Sequence, residues 1–94
     1  MYLLKLKSNV KKDFKRVDKS DVKFIKESLN HFVENFSTSY EIDLIKTGKI
    51  KKLQGLNEEL YRLKLRTYRV IYKKEDDRLV ILVLSVKSRE NSYK

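Results

Sequence analysis

From Leu60 to Lys74 the chain reads LYRLKLRTYRVIYKK, with apolar and basic residues in near alternation. A period of two places Tyr61, Leu63 and Leu65 on one side of a strand and Arg62, Lys64 and Arg66 on the other. YRVIYKK predicts the next strand and EDDR a polar hairpin loop. LVILVLSV, which follows, is apolar except at Ser85, the pattern of a central strand covered on both faces. At the start of the chain, YLLKLK predicts a short strand with Leu4 and Leu6 on one side.

Helical spacing occupies the stretch between. In SNVKKDFKRV, Ser8 or Asn9 can cap a helix whose inner face is Val10, Phe14 and Val17. A second helix begins near Ser20, with Val22, Ile25, Leu29, Phe32, Val33 and Phe36 as one apolar stripe. The short DK link predicts an antiparallel helical hairpin. His31 falls off the stripe and is read as solvated. Thr38 with Glu41 forms a capping-box pattern for a short helix that Gly48 closes. KIKKLQGLNEEL then reads as connector, with a turn at Gly55. The expected class is α+β, one domain over residues 1–94. It comprises an amino-terminal strand, a two-helix hairpin and a three-stranded antiparallel meander, with the helices on one face of the sheet.

Charge adds what periodicity cannot. The 94 residues carry 23 Lys and Arg against 13 Asp and Glu, a net charge of +10 and a pI near 9.8. Such a balance attracts polyanions, nucleic acid first among them, although a Lys-rich surface also serves plain solubility. No apolar run approaches the roughly 20 residues of a membrane span. Lys5 and Lys7 interrupt the apolar start, so it does not read as a signal peptide. Without cysteine there is no disulfide framework, which fits a cytoplasmic location.

With helices on one side, the alternation sends Arg62, Lys64 and Arg66 to the other. Arg69 follows on the neighbouring strand and Arg89 just beyond the apolar strand, while Tyr68, Tyr72 and Tyr93 interleave rings among the cations. Cations bind phosphate and rings stack on unpaired bases, a combination suited to single-stranded nucleic acid. Zinc-ligand spacing, a Gly-rich phosphate loop and a nucleophile elbow are all missing from the sequence, so neither metal nor cofactor is expected. Glu58–Glu59 and Glu75–Asp77 read as loop acids. RNA cleavage by attack of a 2′-OH needs a base, an acid and charge stabilisation. Arginine stays protonated, so Lys64 is the candidate base, because Arg62, Arg66 and Arg69 disfavour its charged form. Tyr93 or Arg89 is the candidate proton donor. An ordinary solvated sheet face is the alternative.

Lys51 to Lys94 resembles the RelE/ParE superfamily of type II toxins. The shared pattern is a KL-x-G start, a YRLR…YRVIY strand pair, an acidic loop, an apolar strand and V-x-x-R-x-x-x-Y. The resemblance implies the RelE-like fold. It further implies, in the RelE branch, a metal-independent endoribonuclease that cuts messenger RNA in the ribosomal A site and is neutralised by a cognate antitoxin. Contacts to 16S ribosomal RNA would then accompany those to the message. By the same resemblance, Arg62 and Lys64 fall on two basic strand positions, with Lys64 as base or phosphate stabiliser. Arg69 holds the scissile phosphate, Arg89 stabilises the transition state or donates a proton, and Tyr93 stacks on the substrate base. Arg66 and Tyr68 complete the substrate contacts read from the pattern. The chain departs from the family in having Arg66–Thr67 where a glycine is usual and Ser88 where a histidine often stands. Its YEIDLIKTG connector is longer than usual. Two other functions share the pattern: a ParE-type toxin that binds DNA gyrase, and a non-catalytic nucleic-acid-binding module.

Arg89→Ala is expected to leave stability within about half a kcal/mol and to slow cleavage on the order of 100–1000-fold. If Tyr93 mainly stacks, Tyr93→Phe retains most activity while Tyr93→Ala loses about 1–3 kcal/mol. Single-turnover cleavage on programmed ribosomes measures each variant. Full activity in both alanine variants would remove this pair from the site.

Overall fold

The computed structural model describes residues 2–53 and 59–88. The elements are β1 (Leu3–Leu6), α1 (Ser8–Lys15), α2 (Lys19–Glu34), α3 (Thr38–Lys46), β2 (Ile50–Leu53), β3 (Leu60–Leu65), β4 (Tyr68–Glu75) and β5 (Val80–Ser88). They form one five-stranded sheet in the order β1-β5-β4-β3-β2, antiparallel except for the β1–β5 pair. The expected meander is present as β3–β4–β5. No helix among the described residues is long and apolar enough to cross a membrane.

Period two fixes which face is buried. Tyr61, Leu63 and Leu65 of β3, Val70 and Tyr72 of β4, and Ile81, Val83 and Val86 of β5 meet Val10, Ile25, Leu29, Phe32 and Val33 of the helices. A β-bulge between Ile71 and Tyr72 shifts the pairing, so that Tyr72 faces Val83 and Ile71 faces Ser85. His31 is exposed, as its place off the stripe predicts.

Several local expectations need correction. The segment read as connector contains β2, which pairs antiparallel with β3 from Ile50–Leu63 to Leu53–Leu60. Only four residues long and half lysine, it carries little periodic signal. Strand β5 is not central; β4 is. β5 is apolar because β1 and β4 flank it, and its outward residues Leu82 and Ser85 are half-buried. Leu6 is 38% exposed, because β1 lies at the sheet edge. Gln54 to Glu58, including the expected turn at Gly55, lie outside the described residues.

The helix caps also differ. Ser37, not Thr38, caps α3, its Oγ accepting the Tyr40 N–H at 3.1 Å. Gly48 closes that helix at φ +82, a conformation only glycine adopts without strain. Neither Ser8 nor Asn9 caps α1. Asn9 instead does the work of a strand. β1 pairs with β5 only as far as Val83, whose carbonyl accepts the Lys7 N–H at 2.9 Å. Beyond it, Asn9 Nδ2 donates to the Leu84 carbonyl at 2.8 Å, and Asp13 Oδ2 accepts the Val86 N–H at 2.9 Å. Two side chains of α1 thus extend the ladder that β1 begins, and the edge of β5 stays satisfied.

The longer connector has a purpose of its own. Glu41 of α3 is 4% exposed. Its carboxylate accepts the Tyr72 hydroxyl at 2.7 Å and the Lys74 ammonium at 2.8 Å. Tyr72 is sealed between the ring of Tyr61, stacked at 5.3 Å, and that of Phe32 at 5.5 Å. Burial, then the bond to Glu41 and its charge, push the Tyr72 phenol far above the ordinary tyrosine value. Burial alone would lower the Lys74 ammonium; the bond to Glu41 and its charge outweigh that and raise it.

Removing one partner of such a cluster leaves the others buried and unpaired. Glu41→Ala is therefore expected to cost about 3 kcal/mol in urea unfolding. Both raised values belong to the folded state, so their contribution is complete below the unfolded pKa values near 10 and is lost as pH rises above them. Each such group steepens the alkaline fall by about 1.4 kcal/mol per pH unit. Tyr72→Phe should flatten the fall above pH 10 while costing about 1–2 kcal/mol at neutral pH. An unchanged alkaline slope in Tyr72→Phe would show that the phenol does not drive it.

Candidate nucleic-acid interface

The helices cover one face of the sheet and leave the other to the outward residues. The pairing register places Lys5 of β1, Lys51 of β2, Arg62 and Lys64 of β3, Arg69 and Lys73 of β4, and Lys87 of β5 on that open face. Lys51 stands opposite Arg62, Lys64 opposite Arg69, and Arg69 opposite Lys87. The only acidic residue of the described strands on this face is Glu75, at the hairpin end, where it pairs with Arg78 at 3.3 Å. Directly opposed like charges repel across a ladder, and a row of three is concentrated beside the β3–β4 turn.

Arg62, Lys64, Arg66, Thr67, Tyr68 and Arg69 line a cleft of about 150 Å³ at that turn. Lys64 is exposed, and its backbone N–H is anchored to the Lys49 carbonyl at 2.9 Å. Arg62 leans sideways: Nη2 donates to the Gly48 carbonyl at 3.4 Å, while Nε is buried with no hydrogen-bond partner among the described residues.

Three residues are placed differently from expectation. Arg66 does not join the open face. Its backbone is left-handed, with φ 54, and the side chain turns back onto α2. There the guanidinium lies 3.7 Å from the Phe24 ring centroid and 3.5 Å from Asp21. One of the three cations expected to crowd Lys64 is thus directed elsewhere. Tyr72 belongs to the core. Tyr68 also faces the helices, its hydroxyl donating to Asp21 at 2.8 Å, a bond that raises its pKa. It also lines the cleft. Arg89 and Tyr93 lie outside the described residues.

Lys87 was not singled out by the sequence, yet it completes the row beyond Arg69. The available signal was the alternation Ser85–Val86–Lys87, masked by the apolar run before it. It donates to Asp13 Oδ1 at 2.7 Å. Among the described residues no cluster of His, Cys, Asp and Glu is suited to holding a metal ion.

Comparison with known proteins places these features in context. Residues 4–93 match the family described as ParE toxin of type II toxin-antitoxin system, parDE. No curated protein matches the chain by sequence. Among solved structures, the chain is similar to the archaeal RelE–RelB complex from Pyrococcus horikoshii OT3, at 28% identity over 94% of each chain and a TM-score of 0.67. It also resembles the isolated E. coli RelE toxin, at 23% identity over 94% of this chain and 84% of that one, TM-score 0.66. The toxin–antitoxin complex RelBE2 from Mycobacterium tuberculosis is similar at 18% identity over 94% and 98% of the two chains, TM-score 0.60. The last two likenesses speak to the fold alone.

Arg66→Gly relieves about 1 kcal/mol of left-handed strain but gives up a cation–π contact worth about 0.5–1 kcal/mol. Stability by chemical denaturation is therefore expected within about 1 kcal/mol of the wild type. RNA affinity should fall less than in Lys64→Ala. An equal or larger loss in Arg66→Gly would return Arg66 to the interface.

Proposed function

Because the chain belongs to the ParE toxin family of type II toxin–antitoxin systems, within the RelE/ParE superfamily, we propose that it acts as an endoribonuclease that cleaves messenger RNA on the ribosome. The observation that carries this reading is the row Lys64–Arg69–Lys87 on a sheet face where, among the described residues, the only strand acid sits at the far hairpin. A surface that only had to stay soluble would mix charges of both signs. Phosphates threaded across the row would be drawn by the positive potential of this face.

In the proposed reaction the ribose 2′-oxygen attacks the adjacent phosphorus, and the 5′-oxygen of the next nucleotide leaves with a proton. Arg69 holds the phosphate, and Lys64, one strand away, takes the 2′-proton or neutralises charge on the phosphorane. Arg89 and Tyr93 supply the remaining stabilisation, protonation and stacking, as the resemblance implies. Arg62, on the same face of β3, contacts the neighbouring backbone. Cationic side chains supply the charge stabilisation, so no metal or small-molecule cofactor takes part. Contacts to 16S ribosomal RNA would use the outer cations of the same face.

A cognate antitoxin completes the system, supported by the family match and by the similar P. horikoshii toxin, solved as the RelE–RelB complex. An acidic or amphipathic segment covering the basic face would match its charge, with association that weakens as salt rises. A second reading is favoured by one observation: the matching family is ParE, whose gyrase-directed members act by binding. The chain's cationic row serves RNA chemistry more directly than it serves gyrase binding.

Expression without antitoxin should stop methionine incorporation first, with new messenger RNA ends mapped by primer extension within translated codons. Early arrest of DNA synthesis with continuing translation would favour the gyrase reading.

A further inference from the structure

The open face turns a corner at the end of β5. Lys87, opposite Arg69, is fixed by Asp13 Oδ1 at 2.7 Å, yet its side chain remains 44% exposed. Asp13 is 6% exposed and spends its other oxygen on the Val86 N–H at 2.9 Å. A carboxylate committed on both sides holds the ammonium in one place, and an ammonium has three donors, so two remain. Arg16, at the end of α1, is exposed and takes part in no ion pair among the described residues. Arg16, Asp13, Lys87, Ser88 and Tyr68 line a small cleft of about 50 Å³. Tyr68 also lines the cleft that contains Lys64 and Arg69, so the two are adjacent. Two cations against one carboxylate leave this corner at +1, the complement of one phosphodiester.

We propose that this corner is a second phosphate position. It takes the phosphodiester next to the one held at Lys64 and Arg69, with Arg16 and Lys87 as its cations and Asp13 as the positioning residue for Lys87. Neighbouring strands lie about 4.8 Å apart, which puts Lys87 within reach of the adjoining link of an RNA strand that crosses the sheet. The assignment rests on the RNA-cleavage reading.

The test uses programmed ribosomes carrying messages with one uncharged methylphosphonate, placed in turn on each side of the cleaved link. For the wild type, one of the two placements should slow single-turnover cleavage on the order of tenfold. Arg16→Gln should cut the normal message more slowly and lose most of its sensitivity to that placement. Lys87→Gln should behave likewise and Lys87→Arg should recover sensitivity. Asp13→Asn, which can still accept from Val86, should lose it in part. A purely structural role would slow both messages equally. If the wild type cleaves but the placement costs it nothing, or costs Arg16→Gln and Lys87→Gln as much as the wild type, the second phosphate position is refuted and the cleavage reading stands. No cleavage by the wild type on any message overturns both.

Discussion

Lys64 and Arg69 face each other across β3 and β4, and like charges placed directly opposite disfavour a sheet. The opposite face of the same two strands holds them together regardless. Leu63 pairs with Val70 and Tyr61 with Tyr72, all nearly or fully buried beneath the helices. Each such side chain contributes about 1.5–3 kcal/mol on burial, against a repulsion of a few tenths to about 1 kcal/mol for an opposed pair. The fold can therefore hold a cationic face against its own preference, because coverage on one side is strong and the strands cannot turn over without exposing it.

That coverage depends on two polar devices that hydrophobic pattern does not encode. Glu41 joins α3 to β4 through Tyr72 and Lys74, and so neutralises an inward cation that would otherwise be buried unpaired. Asn9 and Asp13 of α1 satisfy the edge of β5 where β1 has ended. The second device also reaches the open face, since the carboxylate that takes the Val86 N–H holds Lys87 beside Arg69. Stability and candidate chemistry thus share one side chain at that corner.

Most of this architecture was legible because period two and period 3.6 are strong signals wherever one face is buried. Strands β3, β4 and β5, helices α1 and α2 and nearly all the core came from that pattern. What escaped it were features set by tertiary context. β2 is short and half lysine, and only its pairing with β3 makes it a strand. Arg66 continues the alternation of β3 but sits at φ 54, where the turn reverses its side chain onto Phe24. Tyr72 looked interchangeable with exposed tyrosines until Glu41 supplied a partner for its hydroxyl. At the candidate site, Arg62, Lys64 and Arg69 were visible as alternating cations, whereas Lys87 and Arg16 are brought together only by the packing of α1 on β5.

The central claim is that the cations of the open face are retained for an anionic partner, not for the fold. The most direct test is the unfolding free energy of Lys64→Gln compared with wild type, free of any partner, at low and at high salt. The variant is expected to be more stable at low salt by a few tenths to about 1 kcal/mol. The difference is expected to disappear as salt screens the face. A variant that is less stable than the wild type at low salt would show that Lys64 serves the fold, and would contradict the account.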